Sequence, residues 1–561
     1  MVRRLILPAL LAVLVTAGCD EAPAGSDDLG PAPGWAEVIG TSPVDLATAP
    51  RLSSTALVTR LSLDLRGVRP EPDELARVED DPGELPDVVD AFLASPRFGE
   101  RVRDLYAEVL RTRVEDFPIG AEDLGVGEEE LLLYYASIGE EPLRMLERIA
   151  TEDRPWTDVV TADWTMADER LATLWPLDYP PGVEGWRVAH YTDGRPAAGL
   201  LSTNALWWRY LSNGVNYGRG RANAVARIFL CADFLDRPVD FPRDIDLTDE
   251  AGIRDAVANN TGCVSCHAGL DPLASYLAGF QYTDRTAAEM SVYHPERELR
   301  WREMTGRPPG FYGSPGYAMT DLGAQIAADP RFVTCAVETA WELLLRRPVN
   351  TGDRGELDAL TRHREAFLAG GLTLRSLFRS IVLDPRYALA APAAEPKVVT
   401  PDQWGATLEA WTGFRFTIGG VDVLKSDTTG LRTLAGGGDG RAGGAPAAVP
   451  TATMALSWAR TAEAAAAWAA EYPVGPLHGP DLLDVDPDAT PETAAAFDDP
   501  AMRAQIQALH RRLFGTRVVE DGLEVEATLE LWDQVARIEG PRGAWAAVLT
   551  SMFRDPSLAL Y

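Results

Sequence analysis

Apolar residues recur at helical spacing along most of the chain. The clearest stretch runs from 128 to 150, and its apolar positions are Leu131, Leu132, Tyr135, Ile138, Leu143, Leu146 and Ile149. Pro142 lies within this stretch and predicts a division into two helices, because proline lacks the N–H that a continuous helix uses. Similar spacing predicts helices over 222–234 and 455–470. Strand signals are few, and only the Trp-rich stretch 155–186 predicts a hairpin or irregular packing. We therefore predict a mainly α fold with several helical domains.

An internal repeat indicates a scaffold of helical hairpins. Each copy has a helix rich in leucine and arginine, a glycine or proline turn, a second helix with an acidic start, and a third helix that stops at a proline break. The first helices end within 59–70, 341–348 and 510–517, and the breaks lie at Ser95-Pro96, Asp384-Pro385 and Asp555-Pro556. We expect the copies to bury their apolar faces against each other, and we assign them no chemistry.

The N-terminus has the pattern of an export signal. A basic start precedes an apolar run of 13 residues, 5–17, which is shorter than the roughly 20 residues that span a bilayer as a helix. The run ends in Val15-Thr16-Ala17-Gly18-Cys19, which resembles the lipobox of bacterial lipoproteins, where the cysteine is acylated. Thr16 departs from the usual leucine, valine or isoleucine, so cleavage without lipidation is the alternative. Residues 19–45 then form a flexible tether.

Residues 263–267 read Cys263-Val264-Ser265-Cys266-His267, the Cys-x-x-Cys-His pattern of covalent c-type haem attachment. Two thiols on about one helical turn reach two vinyl groups of one haem, and the imidazole of His267 binds the iron. Because c-type haem is attached outside the cytoplasm, the export signal supports this interpretation. We therefore predict one covalent haem c held by Cys263, Cys266 and His267.

Three other interpretations of this motif compete with haem attachment. A structural zinc site needs a second Cys or His pair at ligand spacing, and the sequence has none. A thioredoxin-like redox pair needs a strand–turn–helix setting, whereas the motif follows the loop-like run Asn259-Asn260-Thr261-Gly262. The third is a chance match in a chain with five cysteines.

The remaining cysteines are Cys231 and Cys335. In an oxidising compartment, two leftover cysteines of an exported chain are candidates for a disulfide. Such a bond between Cys231 and Cys335 closes a loop that contains the haem motif. Two buried free thiols are the alternative, since sequence does not give the separation of the two Cα atoms.

Breaks in the pattern divide the chain into segments. They fall at 391–401 and in a Gly-rich run, 436–444, which lacks the Gly-Lys-Ser/Thr and the preceding strand of a phosphate-binding loop. The predicted segments are a signal peptide over 1–18, a lipid-anchored tether over 19–45, N-terminal helical domains over 46–235, a cytochrome-c-like haem domain over 236–395 and a C-terminal helical domain over 396–561.

Residues from about 50 to 390 resemble planctomycete and myxobacterial cytochrome-c-like exported lipoproteins built from domains of unknown function. The resemblance rests on 59–70, 154–163, 198–203 and, as the closest match, 263–273. It implies export, helical architecture and a single haem-attachment motif, but no known reaction. The chain departs from the family at 278–285, where the family has an Asn-Phe-Asp and Gly-x-Trp-Arg run, so the distal side of the pocket is not predicted by it. The last 160 or so residues lie outside the resemblance.

The second axial ligand of the iron decides between electron transfer and other haem chemistry. Met319 is the first candidate, because it lies 52 residues beyond His267 and just before a predicted helix over 322–328. Met304, Met290 and His294 are competing ligands, and an open or water-bound position is the remaining alternative. For each methionine, simple packing in the core competes with ligation. Arg219 and Arg221 lie near the start of a predicted helix. They are candidate partners for the haem propionates, and the alternative is that both are solvated residues at the helix end.

The combined expectation is a membrane-tethered electron carrier on a bacterial membrane, in the periplasm or at the cell surface, with a redox partner protein. The net charge of −32 excludes nucleic acid as a partner and docking on anionic lipid by charge, so the membrane contact is the lipid anchor. Two alternatives stay open. One is a haem-dependent oxidoreductase, peroxidase-like or part of an exported degradative system, and the other is a helical scaffold lipoprotein.

Overall fold

The computed structural model describes residues 44–561 except 115, 213–215, 237–247, 428, 439, 441–443, 473–481 and 489–498. This part of the chain is mainly helical, as the apolar periodicity predicts. The predicted signal peptide and the predicted lipidation site Cys19 lie outside the described residues. None of the described helices is both long and apolar enough to cross a membrane.

The helices up to residue 230 are α1 (Ser54–Arg66), α2 (Pro72–Asp80), α3 (Leu85–Ala94), α4 (Pro96–Leu110), α5 (Ala121–Leu124), α6 (Glu128–Thr151), α7 (Asp158–Thr161), α8 (Glu169–Leu174), α9 (Asn204–Arg209) and α10 (Arg219–Leu230). The next helices are α11 (Glu250–Asn259), α12 (Thr261–Ser275), α13 (Ala287–Met290), α14 (Trp301–Met304), α15 (Met319–Ala328), α16 (Pro330–Leu345), α17 (Arg354–Ala369) and α18 (Leu374–Val382). The last are α19 (Pro401–Thr412), α20 (Leu431–Leu434), α21 (Ala452–Glu471), α22 (Pro500–Phe514) and α23 (Leu523–Phe553).

The described strands form three short antiparallel hairpins: β1 (Thr165–Ala167) with β2 (Arg187–Ala189), β3 (Gly310–Phe311) with β4 (Ser314–Pro315), and β5 (Thr417–Ile418) with β6 (Val421–Asp422). In the first hairpin Thr165 lies opposite Ala189. The Trp-rich stretch 155–186 therefore contains β1 and a long connection that includes α8, and the antiparallel partner β2 lies just beyond residue 186.

The internal repeat corresponds to three helical units. The first comprises α1, α2 and α3, and the second comprises α16, α17 and α18. The third comprises α22 and α23, where Gly540 has a left-handed φ of 76° and divides α23 into two helical parts. Each unit ends at a predicted break, where a side-chain oxygen of Ser95, Asp384 or Asp555 accepts a hydrogen bond from the backbone N–H two residues later. The prediction of repeated helical units is confirmed.

The prediction that Pro142 divides its helix is wrong, since α6 runs without a break from Glu128 to Thr151 with Pro142 inside. An interior proline costs a helix about 3 kcal/mol. The apolar side of α6 compensates for this cost, because Leu143, Leu146 and Ile149 are buried in the main core beside α4. Periodicity was therefore a better guide here than the single helix-breaking residue.

Buried apolar residues form three clusters in the described chain. The main cluster extends from Val58 to Tyr387 and contains residues of α1 to α4, α6, α10, α12 and α15 to α18. A smaller cluster around Trp175 and Trp208 lies near the first hairpin. The remaining cluster is built from residues after 397, and Leu63 of α1 is its one buried member from elsewhere.

Buried charges connect the last segment to the first helices. The Asp64 carboxylate accepts hydrogen bonds from Lys397, from the Tyr387 hydroxyl at 2.7 Å and from the Tyr561 hydroxyl at 2.7 Å. Burial alone would raise the pKa of Asp64, but Lys397 and the two hydroxyls outweigh burial and hold this pKa below its usual value. Gln403 adds a hydrogen bond of 2.9 Å from its side-chain amide to the Leu63 carbonyl.

A second group of buried charges surrounds Arg113. Its guanidinium contacts Asp104 at 2.9 Å, Glu140 at 2.7 Å and Asp402 at 3.1 Å. Asp104 belongs to α4, Glu140 to α6 and Asp402 to α19. One cation therefore connects α4 and α6 to α19, whose Asp402 lies 289 residues beyond Arg113.

A disulfide joins Cys231 and Cys335, whose Cα atoms are 5.2 Å apart. Cys231 is the C-cap residue of α10, with a left-handed φ of 48°, and Cys335 lies in α16. The two helices pack against each other, so the bond connects elements that are already adjacent. The two cysteines are 104 residues apart in sequence, and the predicted haem motif lies between them.

Candidate functional site

The predicted haem motif lies in the first turns of α12. The Asn260 side chain caps this helix by accepting hydrogen bonds from the backbone N–H of Gly262 at 2.9 Å and of Cys263 at 3.4 Å. Helical geometry then places Cys263 and Cys266 about one turn apart and His267 one turn beyond Cys263. Both thiols are free and half-buried, so they are neither bonded to each other nor fully enclosed by the core.

The cap leads to a prediction for the start of this helix. We expect Asn260→Ala to lower the free energy of unfolding by about 1 kcal/mol, because two backbone N–H groups lose their acceptor. Amide hydrogen exchange at Gly262 and Cys263 should become faster, while exchange in α16 stays unchanged. Asn260→Asp serves as the control, because its carboxylate accepts the same hydrogen bonds. Equal exchange in the alanine variant and the wild-type protein would show that the cap does not hold the motif.

The imidazole of His267 is oriented by a carboxylate of its own helix. Its Nδ1 atom lies 2.9 Å from Oδ1 of Asp271, four residues later, and Asp271 is fully buried, with 0% exposure. The His267 side chain is half-buried. Its other ring nitrogen, Nε2, makes no hydrogen bond to the described residues. The ring is therefore held at one nitrogen and available at the other.

Asp271 has a second partner on a different helix. Arg219 donates from Nε to Oδ1 at 2.7 Å and from a terminal nitrogen to Oδ2 at 3.1 Å, which is a two-point contact. Burial alone would raise the pKa of Asp271, but the hydrogen bonds from His267 and Arg219 outweigh burial and place this pKa below its usual value. Asp271 is therefore an ionised acceptor, and Nδ1 of His267 must carry the hydrogen of their contact.

Gly218 explains how Arg219 comes so close to α12. Its φ is +80°, and a side chain at this position would put a Cβ atom 3.4 Å from the Ala274 carbonyl oxygen and 3.2 Å from the Gln281 side chain. Only glycine combines this left-handed conformation with so close an approach at little cost. The start of α10 therefore packs against α12 and places Arg219 next to Asp271.

Two aromatic side chains lie beside α12 one turn after Cys266. A Cβ atom at Gly269 would be 3.7 Å from the Phe234 ring and 3.9 Å from the Tyr312 ring. Tyr312 is in the two-residue turn between β3 and β4, and the guanidinium of Arg331 lies 4.0 Å from the centre of its ring. The surroundings of the motif on this side are therefore aromatic.

Arg221 is not a solvated residue at the end of its helix. It is buried and donates to the backbone carbonyls of Tyr210 at 2.8 Å, Phe280 at 2.8 Å and Trp207 at 3.2 Å. Burial lowers the pKa of Arg221 to about 10. The two arginines considered for haem propionates thus have protein partners, since Arg219 holds Asp271 and Arg221 holds carbonyl groups of the chain.

Met319 is the first residue of α15 and is 1% exposed, in the main hydrophobic cluster. Of its competitors, Met290 is buried in the smaller cluster and Met304 is half-buried. Both ring nitrogens of His294 have hydrogen-bond partners. Its Nδ1 lies 3.1 Å from a carboxylate oxygen of Glu296, and its Nε2 lies 3.1 Å from the backbone carbonyl oxygen of Glu289. The assignment of Met319 as an iron ligand stays a prediction.

The setting of the motif bears on the competing chemistries. The element before α12 is the helix α11, so the two cysteines do not follow a strand, as they do in a thioredoxin-like pair. Within the described residues, no group of three or more His, Cys, Asp and Glu side chains is arranged to hold a metal ion.

The N-terminal helices show a relationship to known sequences. Residues 41–118 match the family described as PSCyt2: Protein of unknown function (DUF1549). This match covers α1 to α4 and includes the stretch 59–70, on which part of the family resemblance rested. It agrees with a domain of unknown function and does not reach the cysteine motif. No curated protein and no solved structure matches the chain.

Sequence reasoning identified the two cysteines and the histidine of this site but missed Asp271 and the role of Arg219. The spacing of His267 and Asp271 was a usable signal, because residues four apart share one face of a helix. The contact between Arg219 and Asp271 had no such local signal, since 52 residues separate them.

Proposed function

We propose that this protein is an exported, membrane-tethered c-type cytochrome-like protein that binds one covalent haem and transfers electrons to or from a partner protein. The observation that carries the proposal is the arrangement on α12. Free thiols at Cys263 and Cys266 stand beside an imidazole whose Nδ1 is held by Asp271 and whose Nε2 is available.

The donor set fits covalent haem in its chemistry. Thioether formation needs two unpaired thiols that are accessible from solvent, and both cysteines are free and half-buried. A histidine that binds a metal usually donates its other N–H to a carboxylate or carbonyl, which fixes the ring. His267 has this contact with Asp271. When bound, haem would supply one-electron chemistry at its iron, with Cys263 and Cys266 as its attachment points and His267 as the imidazole that would hold the metal.

The neighbourhood of α12 supports the same proposal. Phe234 and Tyr312 provide aromatic surface at Gly269, one helical turn after Cys266, and an apolar shell limits the access of water to a metal and tunes its potential. Arg219 and Arg221, in contrast, serve Asp271 and backbone carbonyls, so we do not assign the haem propionates to them. The predicted export signal and the predicted lipid on Cys19 support the same proposal, because c-type haem is attached outside the cytoplasm.

A second candidate function is a haem-dependent oxidoreductase with an open iron position. The packing of the predicted second ligand favours it. Met319 is 1% exposed in the main core, and His294 has hydrogen-bond partners at both ring nitrogens. If neither reaches the iron, the position opposite His267 is open to a small ligand such as peroxide.

The test is expression of the full chain in a bacterium that carries periplasmic haem-attachment machinery. We expect the purified protein to contain one covalent haem per chain by the pyridine haemochrome assay. A sharp low-spin α band on reduction supports the electron carrier, whereas a high-spin, five-coordinate spectrum supports the oxidoreductase. A chain that folds and is exported without covalent haem contradicts both candidates.

A further inference from the structure

The carboxylate of Asp271 is the most constrained group next to the predicted iron ligand. It is fully buried, and both of its oxygens accept hydrogen bonds, Oδ1 from His267 and Arg219 and Oδ2 from Arg219. A buried carboxylate is costly unless such partners compensate for its lost hydration. Asp271 therefore has one orientation, which points its charge at His267.

The contact changes what the imidazole offers at Nε2. An acceptor with a full negative charge draws the Nδ1 hydrogen toward itself and increases the electron density of the ring. A more basic imidazole stabilises the oxidised, more positive state of a bound iron relative to the reduced state. Asp271 therefore favours ferric iron on His267, which corresponds to a lower reduction potential.

Arg219 acts in the opposite direction. Its two-point contact with Asp271 withdraws part of the carboxylate charge, because Oδ1 is shared between the guanidinium and the imidazole. The positive charge of the guanidinium also opposes a further positive charge on nearby iron. The reduction potential of iron bound by His267 would then be a balance between Asp271 on α12 and Arg219 on α10.

We propose that Asp271 and Arg219 are positioning residues that set the reduction potential of iron bound by His267, with Asp271 lowering it and Arg219 limiting the decrease. This inference rests on the proposed haem function. The two residues act through the imidazole of His267 and touch no substrate. Neither is needed for the thiol chemistry at Cys263 and Cys266.

The experiment is a potentiometric titration of the holoprotein followed by its visible spectrum. Asp271→Asn replaces the carboxylate by an amide of the same shape, and we expect the equilibrium to move at least tenfold toward reduced iron, which is a rise of 59 mV for one electron. Arg219→Gln should move the equilibrium in the opposite direction. Asp249→Asn is the control, because this exposed N-cap of α11 loses a charge without contacting His267.

The two variants are expected to shift the reduction potential in opposite directions, which makes the result decisive. Opposite shifts, with covalent haem still present at one per chain and an unchanged control, support the inference. Unchanged potentials in both variants, or shifts in the same direction, overturn it while the haem function stands. If Asp271→Asn fails to fold, the sign of the shift in Arg219→Gln decides. Absence of covalent haem from the wild-type protein overturns the proposed function and this inference with it.

Discussion

The double variant Cys263→Ser, Cys266→Ser is expected to lose all covalent haem and to keep its fold. Serine hydroxyls do not form thioethers with haem vinyl groups, and both side chains are half-buried, so the core does not depend on them. Haem content is measured by the pyridine haemochrome assay after extraction of non-covalent haem with acidified acetone. Circular dichroism of the same samples checks that the helices are retained.

Each single cysteine variant should keep one thioether and show a haemochrome band shifted from that of the wild-type protein. The matched control is Cys231→Ser, Cys335→Ser, which removes the same number of sulfur atoms but leaves Cys263 and Cys266 intact. Covalent haem must persist in this control if the motif on α12 is the attachment site. Wild-type haem content in the double variant Cys263→Ser, Cys266→Ser would show that haem is held elsewhere.

Replacement of Arg113 by methionine is expected to lower the free energy of unfolding by about 3–5 kcal/mol, the usual cost of breaking a buried ion pair from one side. The side chain is 3% exposed and contacts Asp104, Glu140 and Asp402 within 3.1 Å. Methionine preserves most of the volume but leaves the buried Asp104 and Asp402 and the half-buried Glu140 without this cation. Chemical denaturation followed by circular dichroism measures the loss.

The loss should depend on pH in a defined direction. Burial would raise the pKa of Asp104 and of Glu140, but the nearby arginines outweigh burial and hold both pKa values below normal. Their contribution to stability is therefore fully present at pH 7 and is lost progressively as the pH falls below the unfolded pKa of about 4 toward the lowered pKa values of the folded state. The difference between Arg113→Met and wild type should shrink over this range.

Arg354→Met provides the control for the loss of one arginine. This side chain is 88% exposed and pairs with the exposed Asp358 at 3.2 Å, so the expected loss is below about 1 kcal/mol. Similar losses in the two variants would mean that the Arg113 cluster contributes no more than a surface ion pair.

Local patterns in the sequence were sufficient to predict much of the helical scaffold. The start of α6 at Glu128 and its end at Thr151 follow from apolar spacing, and the unit breaks follow from capping residues such as Ser95 and Asp384. Each of these signals acts within a few residues. Pro142 misled the prediction because tertiary packing, which local sequence does not show, outweighs the loss of one helical hydrogen bond.

The contacts that position the candidate site are mostly non-local. The cysteines and His267 are visible as a motif, and Asp271 lies within one helical turn of His267. Arg219 is recognisable only in three dimensions, because the close approach of α10 to α12 at Gly218 brings it to Asp271. The same holds for Asp402 beside Arg113 and for the partners of Asp64, which come from positions hundreds of residues away.

The buried charges of the first helices also indicate that the segment matched by the family does not fold independently. The family match ends at residue 118, yet Asp64 is neutralised and hydrogen-bonded by Lys397, Tyr387 and Tyr561, and Leu63 belongs to the apolar cluster of the last segment. A fragment cut at the limits of the match would expose a charge and an apolar surface whose partners it had left behind. The matched segment 41–118 is therefore smaller than the part of the chain that must fold together. Expression of this segment alone would give an incomplete core.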